Sequence, residues 1–277
     1  ACATAWQAVA GEEIVSEQGY WRRYYRFAES PVLALAFKPR AFTPHQAPAP
    51  PAQWTALDFD DSAWVRERLP FQSGSRAQIT NPILGQYDET VELRLHSAFY
   101  RARFEVAEPA QAAPLTLRLV YHGGARVCLN GEEVARGHLP AGALDDSAGG
   151  EPYPAEAYAK GGEALRDRTL GPVAIDAAKL RKGVNVVCVE IRASPIHALV
   201  GKNPKQPNWG GPQRPWPHAW FGKFELGPAS GGAPATLQRP AGVQIWAEDI
   251  HVRLHSTDFL PPGEQPGSLR LVGARNG

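Results

Sequence analysis

Trp54-Thr-Ala-Leu-Asp-Phe-Asp-Asp-Ser-Ala-Trp64, closed by Leu69-Pro70, is the stretch whose reading decides the fold. It describes a chain that turns back on itself and pins the turn with two indoles. Side chains of the Asp60, Asp61 and Ser62 type accept hydrogen bonds from backbone N–H groups one or two residues on, which is the chemistry of a turn or helix start. Trp54, Leu57, Phe59 and Trp64 supply apolar anchors on either side. The segment therefore reads as scaffold, with Trp64 in a core.

Outward from it, the chain reads as strands. In Phe99-Tyr-Arg-Ala-Arg-Phe-Glu-Val106, Tyr100, Ala102, Phe104 and Val106 share one face, with Arg101, Arg103 and Glu105 opposite. Leu115, Leu117, Leu119 and Tyr121 repeat the two-residue period, the pattern of a sheet with one buried face. Asn130-Gly131 between apolar segments is a strong hairpin signal. Leu180-Arg-Lys-Gly-Val-Asn185 reads as a turn feeding a long buried strand, and His218 to Leu226 as the last strand, with Trp220 in the core. Tyr20-Trp-Arg-Arg-Tyr-Tyr-Arg-Phe27 reads as a strand near a sheet edge whose arginine stems cover aromatic faces. Arginine interleaved with aromatics also stacks on bases, but a net charge of +1 gives no global field to draw in nucleic acid or acidic membranes.

Composition agrees with this all-β reading. With 43% hydrophobic and 21% charged residues in 277, the chain can bury a full core. Gly 27 and Pro 26 imply many turns and little helix. No apolar run approaches the ~20 residues of a membrane helix. Cys2, Cys128 and Cys188 form no Cys-Xaa-Xaa-Cys pair, which argues against a zinc or thioredoxin-type motif. Cys128 and Cys188 are either buried thiols or one cross-strand disulfide. Buried thiols are preferred, because free cysteine packs as a small hydrophobe. The chain contains no methionine and reads as processed or excised from a longer polypeptide.

The order Trp, Phe-Asp-Asp-Ser-Xaa-Trp, Tyr-Arg-Xaa-Xaa-Phe, Val-Xaa-Leu-Asn-Gly and Leu-Xaa-Lys-Gly-Xaa-Asn-Val resembles the galactose-binding-like jelly roll. More narrowly, it is similar to the sugar-binding domain of β-galactosidase-type glycoside hydrolases, over residues 53–226. The resemblance implies an antiparallel two-sheet sandwich. The expected organisation is an N-terminal strand and Pro-rich connector (1–52), the jelly roll (53–228), a linker (229–242) and the start of a truncated second β domain (243–277). That last segment resembles the opening strands of a sandwich domain in large secreted bacterial carbohydrate-active proteins. A secreted, periplasmic or cell-surface location follows from the same resemblance.

Two polar insertions depart from the pattern. Residues 137–171 include Asp145-Asp146-Ser147 and Tyr153-Pro-Ala-Glu-Ala-Tyr158, and residues 195–217 include Asn208-Trp209 and Arg214-Pro-Trp216. Long loops of this kind are functional or disordered. Sugars present C–H faces to indoles and hydroxyls to amides and guanidinium groups. Asn208, Trp209, Arg214, Trp216 and His218 are therefore the expected carbohydrate-contacting set, the competing reading being that the indoles pack the loop. A glycosidase needs two carboxylates ~5–10 Å apart across a cleft. Asp145 with Asp146, or Glu151 with Glu156, sit in Gly/Pro-rich loops and read as solvated, so no catalytic residue is assigned. The Asp145-Asp146 loop could hold a structural calcium, which prefers several oxygen ligands, but so short an acidic run reads rather as a solvated loop, and no cofactor is expected. His122-Gly-Gly has the look of an oxyanion loop without a nucleophile elbow. The expected function is a non-catalytic carbohydrate-binding or scaffold module. Its partners are a glycan or polysaccharide and neighbouring domains of the same polypeptide, with self-assembly as the other partner class. The alternatives are part of a glycoside hydrolase whose catalytic domain lies outside this chain, and a purely structural sandwich.

Overall fold

The computed structural model describes residues 15–16, 20–29, 48–68, 93–106, 109, 114–195, 197 and 216–228. Most of the Pro-rich connector, the linker and the C-terminal segment lie outside the described residues, as do Cys2, Asn208, Trp209 and Arg214.

Among the described residues, ten strands form two antiparallel sheets: β1 (Val15–Ser16), β2 (Tyr20–Glu29), β3 (Val65–Arg68), β4 (Leu93–Val106), β5 (Leu115–His122), β6 (Gly124–Leu129), β7 (Glu132–Gly137), β8 (Arg168–Ile175), β9 (Gly183–Arg192) and β10 (Trp220–Pro228). One sheet runs β1-β10-β5-β8 and the other β3-β2-β4-β9-β6-β7. The expected two-sheet sandwich is the architecture of the molecule. Among the described residues no helix is long and apolar enough to cross a membrane.

The alternation read from β4 and β5 places Tyr100, Ala102, Phe104 and Val106 against Leu115, Leu117, Leu119 and Tyr121 between the sheets. Val187, Val189 and Ile191 of β9 and Phe221, Phe224 and Leu226 of β10 complete that core. Trp21 of β2 is wholly buried and meets Phe221 and Phe224 edge-on at 5.1 Å each. The sandwich thus takes in β1 and β2, which the sequence reading set apart from the jelly roll. Trp220 departs from expectation as well. A register shift between Phe221 and Phe224 resets the alternation, so Trp220 is only partly buried, outside the core, with its ring near His122 at 4.6 Å.

Asn130 and Gly131 both have positive φ, 51° and 93°, as a tight hairpin turn between β6 and β7 requires. The Asn130 amide also donates to Asn185 Oδ1 at 2.8 Å and accepts from Val186 N at 3.0 Å. Asn185 in turn holds the 181–183 turn through Arg181 and Gly183. The Leu-Asn-Gly and Lys-Gly-Val-Asn motifs are therefore one hydrogen-bonded unit.

A second core lies on the outer face of the six-stranded sheet. There Trp54, Trp64, Phe99, Cys128, Val186 and Cys188 pack together with Tyr24, Leu57 and Phe59. Trp54 and Trp64 stack at 6.0 Å. Asp60 makes the expected turn bond, accepting from Ser62 N at 2.9 Å. Asp61 instead turns inward to Arg101 and Arg103 of β4 (2.6 and 2.8 Å). Arg101 also donates to the Trp54 and Ala56 carbonyls, and Arg22 to the Trp64 carbonyl. The outward arginines of β4 thus satisfy the backbone of the covering segment, which is why that face, too, excludes water. Cys128 and Cys188 are free thiols, as preferred from sequence.

Candidate functional site

One end of the sandwich is built from four pieces. They are the turn between β5 and β6, the residues just after β9, the lead-in to β10, and the 138–167 insertion. Gly123 makes their close approach possible. Its φ is +91°, and a Cβ there would collide with the carbonyl oxygens of Arg192 and His218.

The insertion is pinned at both of its ends. Near its start, Arg192 Nη1 donates to the Asp145 and Ala148 carbonyls at 2.5 and 2.8 Å, and Arg26 reaches Asp146. The Asp145 carboxylate accepts from Ser147 N, Ser147 Oγ and Ala148 N. Those bonds, first that of the Ser147 side chain, stabilise the carboxylate and hold its pKa below the usual carboxylate range. Among the described residues no group of three or more His, Cys, Asp or Glu side chains is placed to hold a metal.

Further along, Arg168 gathers the pieces. Its guanidinium donates to the Gly123, Glu151 and Pro152 carbonyls and to Ser194 Oγ, and lies 3.8 Å from the Tyr153 ring centroid. Tyr153 OH accepts from Gly123 N at 2.9 Å and donates to the Arg166 carbonyl at 3.0 Å. Burial pushes that phenol up to about 12, so it stays protonated and keeps both bonds at neutral pH.

On this base the two insertions meet. Tyr153, Ala157, Tyr158 and Trp216 form one buried cluster. The Trp216 ring stacks on His218 at 4.3 Å and 19°, and takes the edge of Tyr153 at 4.6 Å. Arg166 lies 5.4 Å from the same ring. Tyr158 OH and His218 Nε2 are 2.8 Å apart. His122 closes the far side, its ring nitrogens facing the Pro217 carbonyl and the Asp167 carboxylate, each at 2.8 Å. The product is a rigid aromatic and imidazole platform.

The expected site residues divide accordingly. Trp216 and His218 are brought together, but at 8% and 7% exposure with ring faces covered by other rings. Neither offers a free face to a sugar, so their part here is packing. Asn208, Trp209 and Arg214 belong to the segment outside the described residues. Tyr153, Tyr158, Arg166, Arg168 and His122 were not singled out from sequence as site residues. The available signal was the pair of tyrosines in an otherwise polar insertion, which a solvated loop has no need of. The Trp216 indole Nε1 is buried and meets no hydrogen-bond partner among the described residues. The Asp167 carboxylate, 60% exposed, pairs with His122 at the rim of the platform.

No family model and no curated protein matches the chain. Among solved structures it is similar to a calcium-binding mutant of β-glucuronidase 2 from Bacteroides uniformis (14% identity, TM-score 0.37, 78% of this chain and 18% of that one). It is similar also to a glycosyl hydrolase family 2 member from Bacteroides cellulosilyticus (16% identity, TM-score 0.32, 64% and 17%). A third is the β-glucuronidase of Bifidobacterium dentium (15% identity, TM-score 0.32, 66% and 21%). The chain spans about a fifth of the length of the solved chains it matches.

Proposed function

We propose that this chain is a non-catalytic carbohydrate-binding module of a larger, secreted or cell-surface carbohydrate-active protein, with Asn208, Trp209 and Arg214 carrying the glycan contact. The supporting observation is that His197 and Trp216, the described residues that bound the segment bearing those side chains, both pack on Tyr158, at 5.2 and 5.5 Å. The two described residues that bound that segment thus share one platform, in which Trp216 and His218 act as supports. An indole, an amide and a guanidinium supply the stacking face and the donors that sugar hydroxyls need. Anchoring at both ends lowers the ordering cost of binding.

The parent protein is read as a glycoside hydrolase or related enzyme whose catalytic part lies outside this chain, on the motif order set out above. Assembly through an apolar face is less favoured, since the large exposed apolar side chains among the described residues are Val65 and Leu165, on different elements. A glycan array probed with the intact chain tests the proposal. Binding to one family of oligosaccharides is the expected outcome, and a blank array alongside a well-folded chain overturns it.

A further inference from the structure

Cys128 of β6 and Cys188 of β9 are direct partners in the antiparallel register. Their side chains leave the same face of the six-stranded sheet and belong to the same buried cluster. Facing residues in an antiparallel pair hold their Cα atoms ~4.5–5.5 Å apart, inside the ~4.4–6.8 Å that a disulfide spans. Both are free thiols, 3% and 0% exposed. Over them lies the Trp54–Trp64 segment, and Cys188 Sγ is 3.8 Å from the Thr55 carbonyl oxygen.

Arg101 joins the cover to the pair. The same guanidinium that binds Asp61 and the Trp54 and Ala56 carbonyls also donates to Cys188 Sγ at 3.5 Å. While the cover is down, burial pushes Cys128 up to about 11 and Cys188 up to about 12, and the pair is unreactive. Asp61 and the Trp54 and Ala56 carbonyls all belong to the cover, so lifting it would admit water to the thiols and take these partners from Arg101. It is then left beside Cys188 as a counter-charge for a thiolate.

We propose that Cys128 and Cys188 are a redox modification site, a cross-strand dithiol that a small disulfide oxidises to a Cys128–Cys188 bond when the Trp54–Trp64 cover opens. Cys188 loses its proton to solvent, and its thiolate attacks one sulfur of the oxidant. The oxidant's S–S bond breaks, one thiolate leaves and takes up a proton, and a mixed disulfide remains. The Cys128 thiolate then attacks Cys188 Sγ and expels the second thiolate. The two protein thiols lose two electrons and two protons, and the oxidant becomes two thiols. The new bond encloses β7, the 138–167 insertion and β8, so it ties the platform-bearing segment into a covalent loop.

The test is intact-mass and peptide mapping of the Cys2→Ser chain after incubation with oxidised glutathione under native conditions. The expected product is lighter by about 2 Da, with a Cys128–Cys188 cross-linked peptide. Closure is expected to be at least tenfold faster in Asp61→Asn, whose cover is loosened, and to speed up with sub-denaturing urea in the Cys2→Ser chain should Asp61→Asn not fold. Stable glutathione adducts without the cross-link, or an unchanged mass in urea that opens the cover, overturn the dithiol site. A cross-link whose rate ignores both Asp61→Asn and urea overturns the gating.

Discussion

Arg101 Nε donates to Asp61 Oδ2 across 2.6 Å in a space where the two residues are 0% and 4% exposed. This pair fastens the Trp54–Trp64 segment to β4. Replacing Asp61 with Ala leaves two buried guanidinium groups without their carboxylate, and removal of one partner from a buried pair costs ~3–5 kcal/mol. Asp61→Asn keeps one acceptor oxygen and is expected to lose less. Urea unfolding of the two variants checks both the size and the order.

Trp64 anchors the same segment through rings, stacked on Trp54 and met edge-on by Phe59 at 5.7 Å. Trp64→Ala is expected to cost ~3–5 kcal/mol, as large-to-small aromatic changes in cores do. Denaturation midpoints give the value, and near-ultraviolet circular dichroism shows whether the loss is confined to the outer core.

Gly123→Ala places a Cβ against two carbonyl oxygens at a positive φ. The left-handed backbone alone costs a residue with a side chain ~1–2 kcal/mol, and the collision adds to it. The variant is expected to melt several degrees lower. Tryptophan emission, to which Trp216 of the platform contributes, is expected to respond before global unfolding, in a thermal scan followed by emission and by far-ultraviolet dichroism.

His138 sets a pH dependence. Burial, and secondarily the nearby Arg168, pushes its imidazole below its ordinary value, while Nδ1 sits 2.8 Å from Tyr121 OH. A depressed folded value means that the unfolded chain takes up the proton first. The contribution is therefore complete above pH ~6.5 and is lost as pH falls toward the folded value. His138→Asn, which tolerates the positive φ of 53° at that position, is expected to flatten the change between pH 7.5 and 5 in urea unfolding. A slope equal to that of the parent chain assigns the dependence elsewhere.

What the sequence makes legible is what short range decides. The period of two in β4 and β5, the Asn130-Gly131 turn and the buried run of β9 depend on neighbouring residues and survive into the structure. β8 is hidden because Gly171-Pro172 interrupts it, and an edge strand tolerates that proline. The place of Trp21 in the core and the inward turn of Asp61 depend on partners far along the chain. So does the platform, where Tyr153 and Trp216 come from insertions that look independent in sequence. A shift of register in β10 similarly moves Trp220 out of the core it was expected to join.

Calorimetric titration of the best array oligosaccharide into the parent chain, Trp209→Ala and Trp216→Ala tests the proposed site most directly. The account predicts that Trp209→Ala binds at least tenfold more weakly with an unchanged melting temperature, and that Trp216→Ala lowers the melting temperature because its ring supports the platform. Parent-like affinity in Trp209→Ala would contradict it.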